Sequence, residues 1–122
     1  MAMRWFAALV ACLVMALPAA AQKRIALSFD DTPRHAGAFL DPDTRAEMLV
    51  QALRKARVEQ AAFFVTVGNL GKPGTGDGAA NIAHYLVAGH VIANHSYSHK
   101  RLSGMSAEAY LADIDYADAW LK

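Results

Sequence analysis

The chain has 122 residues, with 12 basic and 11 acidic side chains and a formal net charge of +1. That length holds at most one small domain, and the balanced charge offers neither a basic patch for nucleic acid nor a polybasic arm for membranes. Hydrophobic content is 55%, but much of it is concentrated in the first twenty residues.

Met1 to Arg4 forms a short basic start, Trp5 to Leu17 an uninterrupted apolar stretch, and Pro18 to Ala21 a small-residue exit. This pattern predicts a secretory signal peptide over residues 1–21, with Ala19 and Ala21 placing the cut before Gln22. An uncleaved anchor is the alternative, since the run is only slightly short of a spanning helix. Cys12 is the only cysteine, and Leu13, Val14 and Met15 carry the apolar run past it, which argues against a lipidation site. The mature chain is then expected to have no disulfide, no thiol chemistry and a net charge near zero. Its expected location is the periplasm or the exterior, with no nucleic-acid partner and no stable membrane partner after cleavage.

Arg24 to Ser28 is predicted as the first strand, part of an apolar run that ends in Asp30 and Asp31 and then in Thr32-Pro33. Two carboxylates at the end of a buried strand are costly there without a partner, and a cation is the natural one. After a turn-rich stretch, Thr44 and Glu47 form a capping box for a helix ending near Arg57. Met48, Leu49, Ala52, Leu53 and Ala56 recur on one face of it, with Arg45, Gln51, Arg54 and Lys55 on the other. Ala61 to Val67 is apolar on both faces, which favours a covered parallel strand.

Gly68 to Gly78 reads as a flexible connector, and Pro73 after Lys72 rules out a phosphate loop. Asn81 to Ala88 is a short helix capped by Gly89, burying Ile82, Tyr85 and Leu86. Val91 to Ala93 is a third strand that delivers Asn94 and His95 at its carboxyl end. Ser106 caps a last helix with Tyr110, Leu111, Ile114, Ala117 and Leu121 inward, and Asp118-Ala119-Trp120 is read as packing on that helix. There is no internal repeat and no sign of a second domain.

This alternation predicts an α/β fold, a parallel sheet or barrel, in which ligands gather at the carboxyl ends of the strands. Asp30, Asp31 and His95 all fall there. His99 follows His95 by four residues, so both rings can lie on one side of a helical turn or tight loop. One carboxylate and two imidazoles are a common ligand set for zinc or another divalent transition metal, with a position left for water. Successive strand side chains point to opposite faces, so one acid can bind the ion while its neighbour serves as general base. The pKa of a water on such an ion falls to around 7, which suits hydrolysis of an amide or ester. His84 and His90 are read as structural, and His35 lies near the site without a defined role.

Ser28-Phe29-Asp30-Asp31 and His95-Ser96-Tyr97-Ser98-His99 resemble the first two motifs of the polysaccharide deacetylases, the family of the nodulation chitooligosaccharide deacetylase. Gly89 to Asn94 and the helix after Ser106 are also similar to that family. The resemblance implies a distorted (β/α) barrel with parallel strands, here truncated after about three βα units, and hydrolysis of acetyl groups on chitin, peptidoglycan or related polymers. It implies Asp30 as general base, with Asp31, His95 and His99 as ligands of a divalent metal, zinc first and cobalt or another transition metal as alternatives. Ser96 would hydrogen-bond within its loop to hold the histidines. Residues 22–122 correspond to the amino-terminal half of the catalytic domain, and the family's later motifs, which supply an arginine, an Asp-Trp pair and a final histidine acid, would follow Lys122. An exported metal- or carbohydrate-binding remnant is the competing reading. A haloacid dehalogenase-type phosphatase needs Asp-x-Asp, and Thr32 breaks that pattern.

Overall fold

The computed structural model describes residues 24–122, so the expected leader, its cut before Gln22 and Cys12 lie outside the described residues. Three strands, β1 (Ser28–Thr32), β2 (Ala62–Val65) and β3 (Val91–Asn94), form one parallel sheet in the order β1–β2–β3. Each strand is followed by a helix: α1 (Pro42–Lys55), α2 (Gly78–Val87) and α3 (Ala107–Leu121). The expected alternation of strand and helix is therefore the observed one, and the sheet is parallel throughout.

The first strand starts later than expected. It begins at Ser28 rather than Arg24 and contains both acids instead of ending before them. The apolar residues ahead of it are not buried: Ile25 is 86% exposed and Leu27 is open as well, and within β1 only Thr32 is buried. Only β2, flanked on both sides, has fully buried side chains, Phe63 and Val65. Position in the sheet decides burial here; an apolar run at an edge reads the same in sequence as one at the centre.

Helix α1 is capped three residues earlier than expected. Asp41 is the N-cap, its carboxylate accepting from the Thr44 amide at 2.9 Å and the Thr44 hydroxyl at 2.6 Å. Pro42 fits the first helical position because its missing N–H would have had no partner there. The buried stripe is Pro42, Ala46, Val50 and Leu53, whereas Met48, Ala52 and Ala56 of the expected face are exposed. Ala46, Val50 and Leu53 join Phe63, Ala61 and Tyr85 in one cluster, with Phe63 stacked between Tyr85 at 3.9 Å and Phe29 at 5.0 Å.

Helix α2 begins at Gly78 with Asp77 as its cap, three residues earlier than expected, and ends where Gly89 turns left-handed at φ +91°. Ile82 and Tyr85 are buried as expected, but Leu86 faces solvent because it lies about 100° round the helix from Tyr85. The glycine-rich connector is fastened down. Thr75 is fully buried, its hydroxyl donating to the Asn69 and Lys72 carbonyls, and Asp43 of α1 accepts from the Asp77 amide and the Asn81 side chain. Helix α3 is capped by Ser106 as expected and buries Ala117, while Leu111 and Trp120 are largely exposed and Asp118 pairs with Lys122 at 2.7 Å. Ala117 joins Val65, Val67 and Ile82 in a second cluster beside the end of β2.

Candidate metal centre

Between the paired positions Phe29–Phe63 and Thr32–Val65, strand β1 carries two residues, Asp30 and Asp31, against one, Phe64, on β2. This is a β-bulge, a device that re-aims a side chain and is found beside active sites. Asp31 sits in it at φ +62°. Simple alternation along a flat strand would leave the two acids on opposite faces; the bulge turns Asp31 toward the end of β3.

There the ladder is extended by the His95 amide, which donates to the Val65 carbonyl at 3.0 Å. The chain then turns through two further left-handed residues, Ser96 at φ +64° and His99 at φ +56°. Local hydrogen bonds hold that turn: the Ser96 amide donates to Asn94 Oδ1 at 2.7 Å, and the His99 amide to Ser96 Oγ at 3.1 Å. Asn94 in turn donates through Nδ2 to the Ile114 carbonyl of α3 at 3.0 Å.

The result is a compact triad. His95 Nε2 lies 3.2 Å and His99 Nε2 2.9 Å from Asp31 Oδ1, and the three donor atoms all fall within 4.8 Å of one another. Tetrahedral bonds of the length zinc makes to nitrogen and oxygen place neighbouring ligand atoms about 3.3 Å apart. The separations of 3.2 and 2.9 Å lie just below that figure, and carboxylate plus imidazole is a donor set that zinc and its neighbours accept. The residues therefore fit a divalent ion with one face open to solvent. Side-chain exposures of 33% for Asp31 and 55% for His99 leave room for a further ligand.

A sequence model of the polysaccharide deacetylase family matches residues 18–122. The chain belongs to the polysaccharide deacetylase family. Among solved structures, the chain is similar to peptidoglycan deacetylase PdaC from Bacillus subtilis, at 28% identity and a TM-score of 0.58, over 80% of this chain and 41% of that one. It is also similar to the Bc1960 peptidoglycan N-acetylglucosamine deacetylase, solved with 4-naphthalen-1-yl-N-oxidanyl-benzamide, at 26% identity and a TM-score of 0.56 over 75% and 36% of the two chains. The chain thus spans well under half the length of these solved relatives. A search of curated proteins found no match. The parallel three-stranded α/β sheet therefore matches part of the fold of those relatives.

Asp30 stands beside the triad and is exposed. It lines a cleft of about 380 Å³ together with Asp31, Arg34, Arg45 and Tyr85. A second cleft, about 660 Å³, runs past Asp31, His99, His35 and Asn69. His84 is exposed on α2, and His90 is buried against Phe63 at 5.5 Å, both outside the triad. Two residues that sequence reasoning passed over organise the surroundings. Arg45, read as a solvent-face residue, donates to the carbonyls of His35 and Leu40 at 3.1 and 3.2 Å and so shapes the loop after the paired acids. Asp113 accepts the amides of Tyr97 and Ser98. Burial opposes its ionisation, but those backbone amides outweigh it and hold its carboxyl below the ordinary aspartate value. A signal for Asp113 was present, since it lies four residues from inward-facing Ala117 and a carboxylate on an apolar face needs a partner.

Proposed function

We propose that this chain forms the metal-binding and base-bearing part of an exported hydrolase that removes acetyl groups from an acetylated sugar polymer, with peptidoglycan as the first candidate. The observation that carries the reading is the convergence of Asp31, His95 and His99 on one point, beside an exposed second acid. Family membership and the peptidoglycan deacetylases among the solved relatives support the substrate class.

Asp31, His95 and His99 would hold a divalent ion, zinc or a close neighbour such as cobalt. When bound, that ion would supply Lewis acidity, polarising the acetyl carbonyl and lowering the pKa of a water beside it. Asp30, free of the triad and open to the cleft, takes the proton from the attacking water. The water oxygen bonds to the acetyl carbon, the bond from that carbon to the sugar nitrogen or oxygen breaks, and acetate leaves. By the family resemblance, a later histidine gives the leaving atom its proton. Ser96 keeps the second histidine in place through its hydrogen bond to the His99 amide.

The test is acetate release from acetylated peptidoglycan or chitooligosaccharide by the full-length protein, alongside metal content. Asp30→Asn should abolish acetate release while metal binding persists; Asp31→Asn and His99→Ala should lose both. Wild-type acetate release in all three variants would sink the assignment, and bound metal without turnover in the wild type would favour a binding protein. Export is checked separately by sequencing the amino terminus of the secreted product, which should begin at Gln22.

A further inference from the structure

The loop bearing His95 and His99 has to keep two left-handed residues with side chains, Ser96 and His99, in place. Such conformations persist only where the surroundings over-determine them. His95 is secured by the sheet, through its amide on the Val65 carbonyl. His99 has no such tie: its amide bonds only to Ser96 Oγ, within the same loop. Between them, the adjacent amides of Tyr97 and Ser98 both point out of the loop at one carboxylate, that of Asp113 on α3. Tyr97 N lies 3.0 Å from Oδ2, and Ser98 N lies 3.1 Å from Oδ2 and 3.2 Å from Oδ1. Successive backbone N–H groups cupped round an anion form a nest, and here the anion is part of the protein.

We propose that Asp113 is the positioning residue of the metal centre: by filling this nest it docks the histidine loop on α3 and keeps His99 within reach of Asp31. The inference rests on the reading of Asp31, His95 and His99 as ligands. Asp113 makes no hydrogen bond to any of the three and acts through the loop between the histidines, chiefly its Tyr97 and Ser98 amides. A carboxylate is suited to the task because it offers several lone pairs to two converging N–H donors. An asparagine offers one acceptor oxygen and turns an NH2 group toward the remaining amide. The loss should therefore fall on His99 more than on His95.

The test uses the full-length protein, stripped of metal and titrated with cobalt, read by equilibrium dialysis and by the visible cobalt spectrum. Asp113→Asn should weaken cobalt binding by about 10- to 100-fold, the range for residues that orient metal ligands, and should alter the spectrum while far-ultraviolet circular dichroism stays native. Asp115→Asn, the same charge change at an exposed site on the same helix, should leave both unchanged. Asp113→Glu, which retains two acceptor oxygens, should recover affinity to near the wild-type value. If Asp113→Asn does not fold, Asp113→Ser replaces it with the same outcomes. Wild-type affinity and spectrum in Asp113→Asn would overturn the proposal, as would Asp113→Glu binding as weakly as Asp113→Asn. His99→Ala serves to separate the two readings. If it binds cobalt as tightly as wild type, the ligand assignment itself fails; if it binds weakly while Asp113→Asn is unaffected, only the role of Asp113 fails.

Discussion

Gly68→Ala should damage the candidate site without touching any of its side chains. Gly68 lies in the short turn that follows β2, where its amide donates to the Tyr97 carbonyl at 2.9 Å and the neighbouring Val67 amide reaches the Ser96 carbonyl at 3.3 Å. A Cβ on Gly68 would run into that same Tyr97 carbonyl oxygen, with the carbonyl carbon 3.3 Å away. The obstacle is backbone, so no rotamer change relieves it. Conformational freedom is not the issue, because Gly68 is not among the left-handed glycines. Nor can the loop retreat easily, since the amide of Tyr97 is tied to Asp113 on the far side. Forcing a methyl into such a contact costs typically about 1–3 kcal/mol, and the loop's double anchoring puts Gly68→Ala near the upper end. Urea unfolding should show a lower midpoint at unchanged slope, the signature of lost stability rather than a changed unfolded state. Cobalt affinity should fall as well, because the cheapest relaxation moves residues 96–99 away from Asp31. A stability loss below about 0.5 kcal/mol, the usual size for neutral surface changes, together with wild-type cobalt binding would refute this account of the loop.

Phe63→Ala should cost about 3–5 kcal/mol in urea unfolding, as truncating a fully buried aromatic does, because Phe63 links Phe29, Tyr85 and His90 across the sheet. Asp43→Ala should cost about 1–3 kcal/mol by stranding the Asp77 amide and the Asn81 side chain, and should speed proteolysis within residues 68–78. Acid stability has a defined sign. Asp113 has a folded pKa below its unfolded one, so the stability it contributes is present above the ordinary aspartate range and is lost as pH falls through the folded value. Urea midpoints measured downward from pH 5 should therefore fall less steeply in Asp113→Asn than in the wild type, and parallel profiles would refute it.

What could be read from the sequence follows from what is local. The order of strands and helices is written in runs of apolar residues and in turn chemistry, and both parallel ladders were implied by that alternation. Caps were harder to place. Thr44 and Asp41 are both capping types three residues apart, and the higher rank of Asp together with Pro42, suited to a first helical position, favours Asp41. The inward face of α1 differs from the expected one because Met48-Ala52-Ala56 and Ala46-Val50-Leu53 both recur at helical spacing, and which stripe is buried depends on how the helix lies on Phe63. The exposure of β1 is a property of its place at the edge of the sheet, which no period of two can encode.

The site differs from the rest in kind. Asp31, Ser96 and His99 are three of the four non-glycine residues with positive φ among the described residues, a region that residues with side chains occupy uncommonly. No local rule predicts such conformations, because each is imposed from elsewhere: Asp31 by a bulge against Phe64 in β2, Ser96 and His99 by Asn94 and by Asp113 on α3. Strained backbone positions cluster at functional sites; the fourth, Arg57, simply ends helix α1. The three strained residues and the three donor atoms that meet within 4.8 Å overlap at Asp31 and His99. The backbone strain and the donor chemistry are independent observations, and both point to the same two side chains.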